Sequence, residues 1–77
     1  MRAKVYVTLK TGVHDPAGKA VVGGLQALGF PEVRDVRIGK FFEIELTDGP
    51  DAEGRLRLMC EKLLANTVIE KFRVEIQ

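Results

Sequence analysis

The chain has no tryptophan, a single histidine and a single cysteine in 77 residues. Cys60 therefore cannot close an intramolecular disulfide, and with only His14 to join it the soft ligands of a structural zinc site are missing. Nucleophilic catalysis fares no better, since it needs a base within reach of a nucleophile. His14 falls in a loop beside a helix start, and Cys60 falls on an apolar helix face, where it reads as a small buried hydrophobe. No charge of one sign dominates: 12 basic and 11 acidic residues are interspersed. That leaves no basic stripe for nucleic acid or an anionic membrane. No apolar run approaches the ~20 residues that cross a bilayer. The N-terminal stretch carries neither an apolar signal core nor a small-residue cleavage site, so the chain reads as soluble and cytoplasmic.

What is present is a 45% hydrophobic sequence, enough for one domain over residues 1–77. A chain of this size buries only about 60% of the surface it exposes when unfolded. With no metal or disulfide to supplement so thin a core, association with other chains is expected. "KVYVTLK" (Lys4–Lys10) alternates Val5, Val7 and Leu9 with polar partners and predicts a first strand. Asp15 followed by Pro16 marks a helix start, with Ala17, Val21, Leu25 and Leu28 as its expected buried stripe. Gly29 is its expected left-handed stop, with Phe30 folding back in a Schellman ending. Asp51 caps a second helix in which Leu56, Met59, Cys60, Leu63 and Leu64 share a face, and which is expected to end in a left-handed Asn66. "KFRVEIQ" (Lys71–Gln77) closes the chain as a strand with Phe72, Val74 and Ile76 on one side. Glu70 shares their parity and is expected to precede the strand.

The segment "VRDVRIGKFFEIEL" (Val33–Leu46) poses the main question of the fold. A two-residue hairpin at Gly39–Lys40 would put Val36 and Ile38 on one face with Phe41, Glu43 and Glu45, mixing apolar with acidic. Read as one strand, Val36, Ile38, Phe42, Ile44 and Leu46 share a face interrupted only by Lys40. Alternation thus favours a continuous or gently bent strand over 33–47, although a bulge or three-residue loop at Gly39 would restore the same parity. About 14 residues at ~3.3 Å each reach ~46 Å, whereas a globule of this length is about 30 Å across. Part of the strand is then expected to leave its own domain and complete the sheet of a two-fold partner. The expected class is α+β: a ferredoxin-like, split βαβ antiparallel sheet with two helices on one face.

Candidate chemistry is sparse. "GKAVVGG" (Gly18–Gly24) lies inside a helix, not before one, and so is not a phosphate loop. "RIGKFFEIEL" lacks the spaced aromatics of an RNA-binding strand. Arg37, Lys40, Glu43 and Glu45 read as a solvated sheet side or a protein interface, and the exposed Phe41 favours an interface.

Four stretches, "VYVTLK" (Val5–Lys10), "DPAGKAV" (Asp15–Val21), "VRDVRIGK" (Val33–Lys40) and above all "CEKLLANTVIE" (Cys60–Glu70), give the chain a resemblance to the PurS family nearly end to end. That family is the small subunit of the multi-chain phosphoribosylformylglycinamidine synthase of purine biosynthesis. The sequence departs from the family pattern at Ala17, His14 and Thr67, where glutamine, a hydrophobic residue and proline are usual. The resemblance implies a dimer with no chemistry or bound cofactor of its own. It would bridge a glutaminase subunit and a large ATP-binding synthase subunit, the latter using ATP and magnesium, and assist ammonia transfer between them. By the same resemblance, Asp15, Arg37, Gly39, Lys40, Asn66 and Glu70 join Phe41 as interface candidates. A small-molecule-sensing regulatory dimer is the alternative that the fold class alone would allow.

Overall fold

The alternation of the first segment produces β1 (Arg2–Leu9), which becomes the middle strand of a three-stranded antiparallel sheet in a computed structural model describing residues Met1–Gln77. Its neighbours are β2 (Lys40–Glu45) and β3 (Glu70–Ile76), each antiparallel to it. Ala3, Val5 and Val7 are fully buried, and Val5 and Val7 meet Cys60 of the second helical segment and Ala65 beyond it; Leu56 of that segment is fully buried as well. Half-buried Phe42, Ile44, Leu64, Phe72 and Val74 pack around this centre. The class is therefore α+β, with an antiparallel sheet and two helices. No helix is long and apolar enough to cross a membrane.

The chain does not turn back at Gly39. Residues 33–38 pair with no strand, β2 pairs only with β1, and Gly39 lacks the positive φ of a type I′ or II′ corner. A Cβ on Gly39 would lie 2.4 Å from the Val7 carbonyl oxygen, so the absent side chain is what lets the segment enter the sheet there. The strand expected over 33–47 is thus hydrogen-bonded in the sheet only over Lys40–Glu45, and residues 33–38 continue past the sheet as an arm. The outcome is an elongated molecule of 50 × 24 × 15 Å with a radius of gyration of 15.8 Å, against about 11.5 Å for a compact chain of this length.

α1 (Pro16–Ala27) follows the arm and not the sheet. Asp15 accepts hydrogen bonds from Gly18 N–H and Ile38 N–H, Gly18 lies against the Val36 carbonyl, and Gln26 donates to the Val33 carbonyl. At its end, Phe30 N–H reaches Leu25 O and Gly29 N–H reaches Gln26 O, with Gly29 at φ 102°. That is the expected Schellman ending. The expected buried stripe is not buried within the chain. Gly18 is the only buried residue of the helix, Val22 and Leu25 are half-covered, and Ala17, Val21 and Leu28 are exposed, Leu28 by 76%. Of the expected stripe only Leu25 is partly covered; the covered side of the helix is Gly18, Val22 and Leu25, rotated away from the predicted one towards the arm.

α2 (Ala52–Met59) starts at Asp51, whose carboxylate accepts from Gly54 N–H and whose backbone is left-handed at φ 56°. After Met59 the chain widens into a π turn over Cys60–Leu64, closed by Ala65 N–H to Cys60 O. The extra residue rotates the inward face: Leu64 is half-buried and Ala65 buried, while Leu63 is 84% exposed. A strict 3.6-residue period had placed Leu63 inward. Ala65 then ends the turn in extended backbone, and Asn66 does not adopt the left-handed conformation expected of it.

Candidate functional site

β1 ends at Leu9, β2 enters at Lys40, β3 begins at Glu70, and α1 starts beside them at Asp15. The interface candidates are gathered around this end of the sheet, though they were scattered through the sequence. Their side chains do different things.

Asp15 is 6% exposed and holds two backbone amides, Gly18 N–H and Ile38 N–H, each at 2.8 Å. The Ile38 amide first, then that of Gly18, keep its carboxyl below the usual carboxylate range against the cost of burial, with smaller help from Arg37 and His14. The cap therefore also ties the helix to the arm. Arg37 donates from Nη2 to the Lys10 carbonyl at 3.1 Å, and Gly39 packs against Val7.

Lys40 and Glu70 explain each other. Each breaks an apolar face of its own strand, and the register sets Lys40 beside Val7 and Glu70 beside Leu9 on the central strand. Across β1, Lys40 Nζ comes within 3.7 Å of Glu70 Oε2. The Glu70 side chain is only 13% exposed, and its Oε1 also accepts the Asn66 amide at 2.6 Å. Asn66 in turn accepts Glu70 N–H on its carbonyl and Val68 N–H on its side-chain Oδ1, closing the loop before β3. Glu70 is thus the first residue of β3 and does not precede it.

Phe41 lies on the opposite face, half exposed, with its ring stacked on Tyr6 at 5.0 Å between centroids. Arg73 covers the other part of this pair, 4.2 Å from the Tyr6 ring centre, and is bonded to Glu75. Sequence reasoning missed Tyr6 and Arg73. Parity marked both as pointing away from the core, but only the register Tyr6↔Phe41 and Tyr6↔Arg73 makes them neighbours of Phe41.

Chemically the arrangement holds strands and helix in place and offers surface; no nucleophile and base approach each other. His14 is exposed, and Cys60 is buried, its thiol pushed up chiefly by desolvation. No three His, Cys, Asp or Glu residues are grouped to hold a metal.

Residues 2–77 match the model of the PurS family, described as phosphoribosylformylglycinamidine (FGAM) synthase. A phosphoribosylformylglycinamidine synthase subunit PurS from Synechocystis is 53% identical over 76 residues, covering 95% of this chain and 75% of that protein. The solved structure of PurS from B. subtilis superposes with a TM-score of 0.93 at 48% identity, covering 99% of this chain and 96% of that one. The structure of PurLQS from Thermotoga maritima contains a chain that superposes with a TM-score of 0.82 at 26% identity, over 96% of this chain and 93% of that one. A match that spans strand, arm and both helices leaves no part of the fold outside it, and the chain belongs to the PurS family.

Proposed function

We propose that this chain is the PurS subunit of an FGAM synthase and that it works as a non-catalytic bridge. It joins a glutaminase subunit to a large ATP-binding subunit and assists ammonia transfer while the larger subunit uses ATP and magnesium. The product would be formylglycinamidine ribonucleotide, made from formylglycinamide ribonucleotide in the cytoplasm. The observation that carries this reading is the arm with its attached α1, which projects from the sheet and keeps its apolar Val21 and Leu28 uncovered. Such a shape suits a part that is completed by other chains. The relative found within a PurLQS structure supports the same reading over a free-standing regulatory dimer.

A homodimer is the first step of that assembly. β2 lies at an edge of the sheet, with its outer backbone groups unpaired, and residues 33–38 also lack a partner strand. Two copies related by a two-fold axis near Gly39 would satisfy both at once, the arm of one pairing with β2 of the other. α1 would then travel with its arm onto the partner's sheet, where its uncovered apolar side finds a surface.

The test is reconstitution: the purified protein is added to glutaminase and ATP-binding subunits, and glutamine-dependent product is measured. The bridging role predicts that product formation depends on this chain. Equal nitrogen transfer without it would refute that role.

A further inference from the structure

On the sheet face turned away from α2, the register sets Thr8 beside Lys71 and Tyr6 beside Arg73. Where β1 gives way to the next turn, a shallow depression of about 430 Å³ is lined among others by Thr8, Thr11, Gly12, Asp35, Arg37 and Lys71. A second depression continues it along β3 and shares Thr8 and Lys71 with the first. Together they form a trough that ends at Arg73 and the Tyr6–Phe41 stack.

The trough has cations and hydroxyls whose hydrogen-bonding capacity is mostly unused within the chain. Arg37 is oriented by its bond to the Lys10 carbonyl, which also accepts Val13 N–H in a turn through Gly12 at φ 87°. That bond uses one of five guanidinium donors and leaves the rest free. Neither Arg37 nor Lys71 belongs to an ion pair, although Lys40, Arg57, Arg73 and the N-terminus each do. The hydroxyls of Thr8 and Thr11 make no hydrogen bond within the chain. Asp35 is the one carboxylate at the rim of the first depression.

We propose that this trough is a docking surface for an acidic segment of a larger FGAM synthase subunit. Its carboxylates are received by Arg37 and Lys71, with Thr8 and Thr11 as further donors. The inference rests on the bridging reading above and assigns it a face. The choice of occupant follows from shape and charge. A small ligand is usually held in a cleft that buries most of its surface, whereas this trough lies open on a sheet. An aromatic centre of Tyr, Phe and Arg beside a charged, hydrogen-bonding rim is the make-up of a protein interface. The face also points away from α2.

The experiment titrates the protein into the glutaminase and ATP-binding subunits under turnover with glutamine, ATP and magnesium, and reads the concentration that gives half-maximal product formation. Reversing the charge in Arg37→Glu/Lys71→Glu is expected to raise that concentration about tenfold or more, and the wild-type value should rise with added salt. Light scattering should show the double variant in the same self-association state as the wild type. Lys62→Glu, on the far side of the chain, serves as the control and should behave as wild type. A double variant within twofold of the control overturns the inference while the bridging reading stands. A wild-type protein that neither binds nor stimulates overturns both. NMR titration with inorganic phosphate supplies a further arm: binding at Arg37 and Lys71 without any change in half-saturation for the double variant would make the trough a small-anion subsite and overturn the docking inference.

Discussion

At the scale of single residues, two glycines of one helix show how identical substitutions acquire opposite signs. A Cβ on Gly18 would lie 2.0 Å from the Val36 carbonyl oxygen, a backbone atom that cannot step aside without moving the arm. Gly23 sits in the same helix with nothing within 4 Å. Gly23→Ala should therefore stabilise by about 0.5–1 kcal/mol, the ordinary helix-propensity gain. Gly18→Ala should instead destabilise by about 1–3 kcal/mol, as overpacking does. Urea unfolding of the two variants measures both. Asp15 makes a pH prediction. Its folded pKa is lowered, so its contribution is present above the unfolded carboxylate value and is lost as pH falls through the folded one. The stability gap between wild type and Asp15→Asn, which cannot ionise, should be constant from about pH 5 upwards and narrow in the acid range below about pH 4. A gap that widens there in matched urea titrations would contradict the assignment. Lys40 and Glu70 carry a different lesson. Each looks misplaced in its own strand, and only the register between strands turns two local anomalies into one ion pair.

At the scale of elements, local chemistry was legible wherever a local rule decides the outcome. Asp15 before Pro16 and Gly29 before Phe30 mark α1 at both ends, and the cap and the Schellman bonds are found at those residues. The second helix was legible at its start and not at its end. The π turn after Met59 has no sequence signature here; with it Leu64 and Ala65 lie inward, and Leu63, expected on the same face as Leu64, lies outward. Two truncations separate these descriptions. Leu56→Ala removes a fully buried side chain and should cost about 2–5 kcal/mol. Leu63→Ala should stay within about 0.5 kcal/mol in thermal or urea unfolding, because Leu63 points outward. Comparable losses at both positions would restore the regular helix.

At the scale of the whole molecule, only 8 of 77 residues are buried, and the apolar part of α1 faces away from its own sheet. Val21, Leu28 and Phe30 are exposed on α1 and the turn that ends it, by 40%, 76% and 47%, and under the proposed assembly this is the surface that a second copy covers. The paired substitution Val21→Glu/Leu28→Glu places charge on that surface while touching nothing in the Val5–Val7–Cys60 core. The variant should keep its strand signal in circular dichroism yet give a mass near 8.5 kDa in light scattering, whereas the wild type gives a multiple of it. A wild-type protein of 8.5 kDa would remove the homodimer from the proposed assembly.

The sequence by itself determined the caps, the α+β class and the alternation of the strands, and it favoured continuity through Gly39 without excluding a bulge or three-residue loop there, because alternation, capping side chains and parity act between residues close in sequence. It also marked the family, since its most specific stretch, Cys60–Glu70, spans the turn and loop that close the sheet. Tertiary structure alone decided that α1 travels with the arm, that Leu63 turns outward, and that the interface candidates share one end of the sheet. Those outcomes depend on register and on how much apolar area each surface can cover. Both are set by residues dozens of positions apart, and no local pattern records them.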